Sequence, residues 1–134
     1  MKFMLDTNTC IALVKREPLQ VWQRFEALSA GDVGISWVTM TELEFGVAKS
    51  QHQEKNQAAL DEFVLPLETA PMDIDTARCY GQVRARLQAQ GTPIGPMDLM
   101  IGVHALTLGV TSVTNNVGAF SRIEGLAIVD WLSA

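Results

Sequence analysis

Asp6, Glu42, Asp98 and Asn116 stand at comparable places in the chain, each just past a short apolar run or at a helix start on an otherwise apolar segment. Asp6 directly follows Lys2–Leu5. Glu42 is expected in the first turn of the helix after Val33–Ser36. Asp98 comes two residues after Pro96, where a largely apolar stretch begins, and Asn116 follows Thr111–Thr114. In an open parallel sheet such positions gather at the carboxyl ends of the strands. Carboxylates brought together there repel, by about 4 kcal/mol for a pair ~4 Å apart at an effective dielectric of ~20. A cation offsets that repulsion, and an all-oxygen donor set selects magnesium or manganese. No cysteine or histidine has metal-ligand spacing nearby, which argues against zinc. The chemistry open to these residue types is that of a hard divalent ion held by carboxylates.

Taken singly, each of the four also has a plain structural role available. Asp6 can cap the helix that follows it. Glu42 closes a T-x-x-E pattern with Thr39, a capping box by sequence. Asp98 suits the positive end of a helix dipole, and Asn116 suits a turn with a left-handed backbone.

The elements that must position them alternate along the chain. Lys2–Leu5 and Val33–Ser36 read as strands, separated by helices over Thr7–Arg16 and Pro18–Ser29, the second opened by proline. Helical periodicity continues over Thr39–Lys49 and His52–Leu65, and Pro66–Ala70 reads as a further strand. Ile74–Gln90 is amphipathic and stopped by Gly91. After the breaker-rich loop Gly91–Pro96, Met97–Leu108 reads as a mostly buried helix, apolar on nearly all sides. Thr111–Thr114 and Ala127–Val129 supply the last strands. Strands separated by helices predict an α/β fold, a central, mainly parallel sheet of four to five short strands flanked by helices.

At 134 residues the chain has the length of one domain spanning 1–134. Hydrophobic residues make up 48% and charged residues 19%, a balance that fits a compact core and argues against disorder. Leu99–Val110 falls short of the ~20 apolar residues of a spanning helix, and the N-terminus meets Asp6 too soon for a secretory signal. Cys10 and Cys79 form no C-x-x-C pair and read as two buried thiols of a reducing compartment. The expected location is cytoplasmic. The net charge of −5 is the wrong sign for blanket attraction to nucleic acid, so any such partner needs a specific explanation.

Several segments together resemble the PIN-domain family, and within it the VapC-type toxins. Phe3-Met4-Leu5-Asp6-Thr7-Asn8 is similar to the family's opening strand and Asp-Thr-Asn. Thr41-Glu42-Leu43-Glu44-Phe45-Gly46 resembles its E-L-x-x-G segment, and Gly91-Thr92-Pro93-Ile94-Gly95-Pro96-Met97-Asp98 its G-x-P-I-G-x-x-D signature. Val113-Thr114-Asn115-Asn116, Phe120, Gly125-Leu126 and Trp131 match the closing pattern. Each motif is weak alone, whereas the ordered set covers the whole chain.

The resemblance implies a PIN-like fold and the toxin of a bacterial toxin–antitoxin pair. The activity it implies is a Mg2+-dependent endoribonuclease, with Mn2+ as a substitute, that cuts structured RNA such as a tRNA anticodon stem-loop, initiator tRNA included. By the resemblance Asp6, Glu42 and Asp98 are the acidic metal-site residues, Asp6 and Asp98 as direct ligands and Glu42 either ligating through water or orienting the attacking water. Asn116 falls where many PIN domains have a further aspartate, and Thr114 would be a supporting hydroxyl. The implied partners are a VapB-like antitoxin, the RNA and a second copy of the chain. Two magnesium ions against three carboxylates would leave a loaded site locally about +1, which answers the charge objection.

Lys15, Arg16, Lys49, Lys55, Arg84, Arg86 and Arg122 are candidate phosphate contacts, though any one of them taken singly reads better as a solvated charge. Trp22, Trp37 and Trp131 are compatible with an interface and, singly, with packing. His104 reads as a hydrogen-bonded core histidine and His52 as exposed. Two rival readings stand beside the nuclease: a catalytically silent PIN-like binding module, and a receiver-type phosphoacceptor domain. The second expects paired acids at the first strand and a late lysine, and no lysine follows Lys55.

Overall fold

The structure is a computed structural model and describes residues 1–29 and 31–133. Twelve elements follow one another: β1 (Phe3–Leu5), α1 (Thr7–Lys15), α2 (Leu19–Glu26), β2 (Val33–Ser36), α3 (Trp37–Ala48), α4 (Gln53–Val64), β3 (Glu68–Ala70), α5 (Ile74–Ala89), α6 (Pro96–Leu108), β4 (Thr111–Val113), α7 (Val117–Phe120) and β5 (Ile128–Val129). The strands form one parallel sheet in the order β3-β2-β1-β4-β5. The expected α/β class and strand number hold. The order differs from the flavodoxin-like 2-1-3-4-5 sheet, so the receiver-type reading falls.

Alternation along the strands sends successive side chains to opposite faces. Leu5, Val33, Ile35 and Val113 join a cluster with Leu13, Val21, Leu43 and Leu60, from the helices α1 to α4. Met4, between Phe3 and Leu5, packs instead with Ala70 and Ala105 on the opposite face, where α5 and α6 lie. Met4 pairs in register with Gly34 on one side and Ser112 on the other, so small residues flank it beneath α6. Gly102 brings that helix close to the next layer: a Cβ there would meet Ile123 Cδ1 at 2.4 Å.

The chain runs outward from β1 to β2 and β3, then returns to the other side of β1 for β4 and β5. The switch point lies between β1 and β4, and the crevice at their carboxyl ends is where an open α/β sheet places ligands. Asp6 follows β1 there, and Thr114 follows β4.

Three local expectations are corrected. α3 begins at Trp37, not Thr39, because the hydroxyl of the last β2 residue, Ser36, accepts from Val38 N at 3.1 Å and caps the helix directly from the strand. Glu42 therefore sits in the second turn, the capping box with Thr39 does not form, and the buried Thr39 hydroxyl has no hydrogen-bond partner. Asn116 has φ −84°, so it is not a left-handed turn residue; it precedes α7, a single turn too short for a periodic signal. The helix expected over Pro18–Ser29 runs only from Leu19 to Glu26.

Candidate active site

Asp6 closes β1 and opens α1. Its backbone N–H continues the sheet by donating to Val113 O at 3.0 Å. Its carboxylate accepts from Thr9 N at 2.9 Å, so the capping role is real, and its other oxygen accepts from Thr114 Oγ1 at 2.6 Å. The residue is 2% exposed. Thr114 in turn accepts from the backbone N–H of Asn116 at 3.0 Å, and the Asn116 side-chain amide donates to Asp98 Oδ2 at 3.1 Å. Asp98 sits in the first turn of α6 behind Pro96, as expected. A relay of neutral donors thus links the carboxylates of Asp6 and Asp98 across the switch-point crevice.

Glu42 reaches toward the same end of the sheet from α3, and its Oε1 accepts from Thr7 Oγ1 at 2.6 Å. Thr7 is adjacent to Asp6 within the Asp-Thr-Asn motif, and the motif assigns it no role. Nothing local could, since 35 positions separate it from Glu42. Among the described residues, no three Asp, Glu, His or Cys side chains stand close enough to enclose one ion in this side-chain arrangement. Glu42 stands tied to Thr7, apart from the relay that joins Asp6 to Asp98. Glu44 bonds Gln57 at 3.0 Å and takes no part.

The electrostatics of the site follow from its burial. Desolvation pushes the Asp6 carboxyl above the usual carboxylate range, the hydrogen bonds from Thr114 and Thr9 oppose this, and the negative charge of Asp98 adds to it. Burial likewise pushes the Cys10 thiol well up, with the Asp6 charge acting in the same direction, so Cys10 stays a protonated core thiol. Cys79 is only half-buried, and both thiols are free. Among the described residues the ion pairs are Lys2–Asp32 and Arg86–Glu124, and neither reaches Asp6, Glu42 or Asp98. A buried carboxylate with no cationic side-chain partner, beside a second carboxylate and oxygen-bearing neighbours, fits a divalent cation.

The basic residues named from sequence are exposed or half-buried and mostly engaged locally. Arg16 stacks on Trp22 at 4.0 Å, Lys49 lies over Phe45 at 5.1 Å, and Arg84 bonds Tyr80 at 3.0 Å. Arg122 donates to Pro93 O at 2.8 Å and pins the loop that leads to Asp98. Lys15 and Lys55 are exposed, as is His52. His104 is buried with Nδ1 at 2.8 Å from Ser36 Oγ, the core histidine expected. Trp131 is buried in the core, Trp22 is half-buried, and Trp37 is half exposed.

Comparison with known proteins places the chain. The PIN domain family matches residues 3–126. A Shigella flexneri protein named tRNA(fMet)-specific endonuclease VapC is 45% identical over 131 residues, 98% of each chain. Ribonuclease VapC2 of Rickettsia felis is 36% identical over 132 residues, 98% of each chain. Among solved structures, the DNA-bound VapBC complex of Salmonella typhimurium contains a chain of 44% identity that superposes with a TM-score of 0.91, covering 98% of both. With its five-stranded parallel sheet and its ordered motifs, this chain belongs to the PIN-domain family, in its VapC branch.

Proposed function

We propose that this protein is the toxin of a toxin–antitoxin pair, a divalent-metal-dependent endoribonuclease that cuts a structured RNA of the tRNA class. The observation that carries the reading is the buried Asp6 carboxylate, linked through Thr114 and Asn116 to Asp98 at the switch point and left without a cationic side chain. The relatives named for cutting tRNA(fMet) make initiator tRNA the first substrate to try, at its anticodon stem-loop. Magnesium is the proposed ion, with manganese as its substitute, and the domain comprises residues 1–134 acting in the cytoplasm. No helix among the described residues is long and apolar enough to cross a membrane.

Asp6 and Asp98 would hold the ion. Bound there, a divalent cation supplies a polarised water and neutralises charge on the phosphate. Asp6, buried and doubly hydrogen-bonded, is held to one orientation. Glu42 accepts a hydrogen bond from the attacking water and aligns it. Asn116, a neutral donor to Asp98, holds that carboxylate without adding a fourth negative charge. No histidine is needed as a base, and the buried His104 is placed against Ser36 instead.

The partner reading draws on an apolar groove of about 300 Å³ lined by Ile11, Val14, Leu43, Gly46, Val47 and Leu60, with Glu42 also in its wall. Such a groove suits an apolar segment of a VapB-like antitoxin, whose basic side chain would reach the carboxylates and block them. Solved relatives are VapBC complexes. Exposed Trp37 and Ile74, 50% and 63% accessible, suit a homodimer contact.

The test is to incubate partner-free protein with total RNA and magnesium or manganese and map new 5′ ends. Discrete cuts in a folded RNA, lost with EDTA and in Asp6→Asn or Asp98→Asn, are expected. Folded, metal-supplied protein that cuts nothing would replace this reading with a silent binding module.

A further inference from the structure

Thr7 makes a contact that no sequence motif singles out. Its hydroxyl donates to Glu42 Oε1 at 2.6 Å, joining the start of α1 to the second turn of α3. The length is that of a strong charge-assisted O–H···O⁻ bond. Both ends of the bond have different freedom. Thr7 is the first residue of α1, in the turn that the Asp6 cap closes, and its branched side chain has a stiff χ1. Glu42 is a long, half-buried side chain that also lines the open groove between α1, α3 and α4, where it has room to swing away.

The bond occupies Oε1 alone, and no hydrogen bond to Oε2 occurs among the described residues. With Glu42 so bonded, no three acidic side chains among the described residues stand close enough to enclose one ion. We propose that Thr7 is the positioning residue for Glu42: its hydroxyl fixes one carboxylate oxygen at one remove from the Asp6–Asp98 pair and leaves the other to receive the attacking water. The proposal rests on the nuclease reading above. It assigns the threonine after Asp6 a role distinct from that of Thr114, which bonds Asp6 itself.

Thr7→Val keeps the branched shape and removes the donor, and Thr7→Ser keeps the donor. Each is compared with wild type for steady-state cleavage of the mapped RNA, Mn2+ affinity by calorimetry and thermal unfolding. Thr7→Val is expected to lower kcat by about 10–100-fold while KM and Mn2+ affinity stay within about twofold. Thr7→Ser is expected to recover most of kcat. If Thr7 acts only through Glu42, the double variant Thr7→Val with Glu42→Ala cuts no more slowly than Glu42→Ala alone. An unchanged kcat in Thr7→Val overturns the proposal. So does a double variant well below Glu42→Ala, or a loss of Mn2+ affinity matching the loss of kcat, because Thr7 would then serve the ion-holding pair. Wild-type protein that cuts no RNA overturns the nuclease reading and this proposal together, whereas an active wild type with an unaffected Thr7→Val removes the proposal alone.

Discussion

Asn116 donates its side-chain amide to Asp98 Oδ2 at 3.1 Å while its backbone N–H donates to Thr114 Oγ1 at 3.0 Å. One neutral residue thereby ties the carboxylate on α6 to the hydroxyl that bonds Asp6 at 2.6 Å. An aspartate at 116 would keep the backbone bond but set two carboxylates against each other. Asn116→Asp is expected to lower metal-free stability by roughly 0.5–1 kcal/mol, a small cost because the position is exposed. The gain in melting temperature on adding Mn2+ should be larger than in wild type. Thermal melts in EDTA and in Mn2+ check both, and an equal or smaller Mn2+ gain would count against an ion held beside Asp98.

Asp6 buries a carboxylate with no cationic side chain to balance it, among the described residues. Asp6→Asn removes that charge and leaves an oxygen able to accept from Thr9 N. In EDTA at neutral pH the variant is expected to melt above wild type by about 2–6 °C, the size of a ~1 kcal/mol gain. Mn2+ should raise wild type and not the variant, and RNA cleavage by the variant should be lost. Calorimetry with and without Mn2+ reads the crossover; a variant that melts lower in EDTA would mean the Thr114 bond outweighs the buried charge.

His104 contributes a loss of stability in mild acid. Burial holds its pKa below the usual imidazole value, with the Pro71 carbonyl and the Asp73 carboxylate acting against that shift. The unfolded chain therefore takes up this proton before the folded one as pH falls. This contribution is complete above the unfolded value of about 6.5 and is lost below it, by up to ~1.4 kcal/mol per pH unit. His104→Gln should flatten the fall in stability that begins as pH drops below about 6.5, read from denaturant melts. Asp73, whose carboxyl is held below its usual range by the Thr76 hydrogen bonds, titrates on the acid side of that window.

Two glycines should respond oppositely to alanine. A Cβ at Gly34, in β2, would meet Glu68 O of the neighbouring strand at 2.7 Å, and backbone cannot yield as a side-chain tip does. Gly34→Ala is expected to cost about 1–3 kcal/mol by overpacking. Gly46, inside α3, has nothing within 4 Å, so Gly46→Ala should stabilise by up to ~1 kcal/mol. Denaturant midpoints at constant slope decide both. Because Gly46 lines the apolar groove, Gly46→Leu should weaken binding of the antitoxin proposed to sit there and spare RNA cleavage.

Much of this molecule is written locally. Apolar runs at Phe3–Leu5 and Val33–Ser36, the proline before Asp98 and the stop at Gly91 are read by backbone preference and burial over a few residues, and those elements form close to where they are expected. Placing Asp6, Glu42, Asp98 and Asn116 near strand ends or helix starts required only the alternation of strand and helix. Their division was not legible there. Ser36 captured the start of α3 from Thr39 because a strand residue with a capping hydroxyl stood next to the helix, which moved Glu42 one turn inward. The bonds that organise the site span 108 positions for Thr114–Asp6, 35 for Thr7–Glu42 and 18 for Asn116–Asp98. No local pattern encodes such pairings. They exist because the sheet order sets β2 and β4 on either side of β1, so that hydroxyls and carboxylates distant in sequence meet at one end of the sheet.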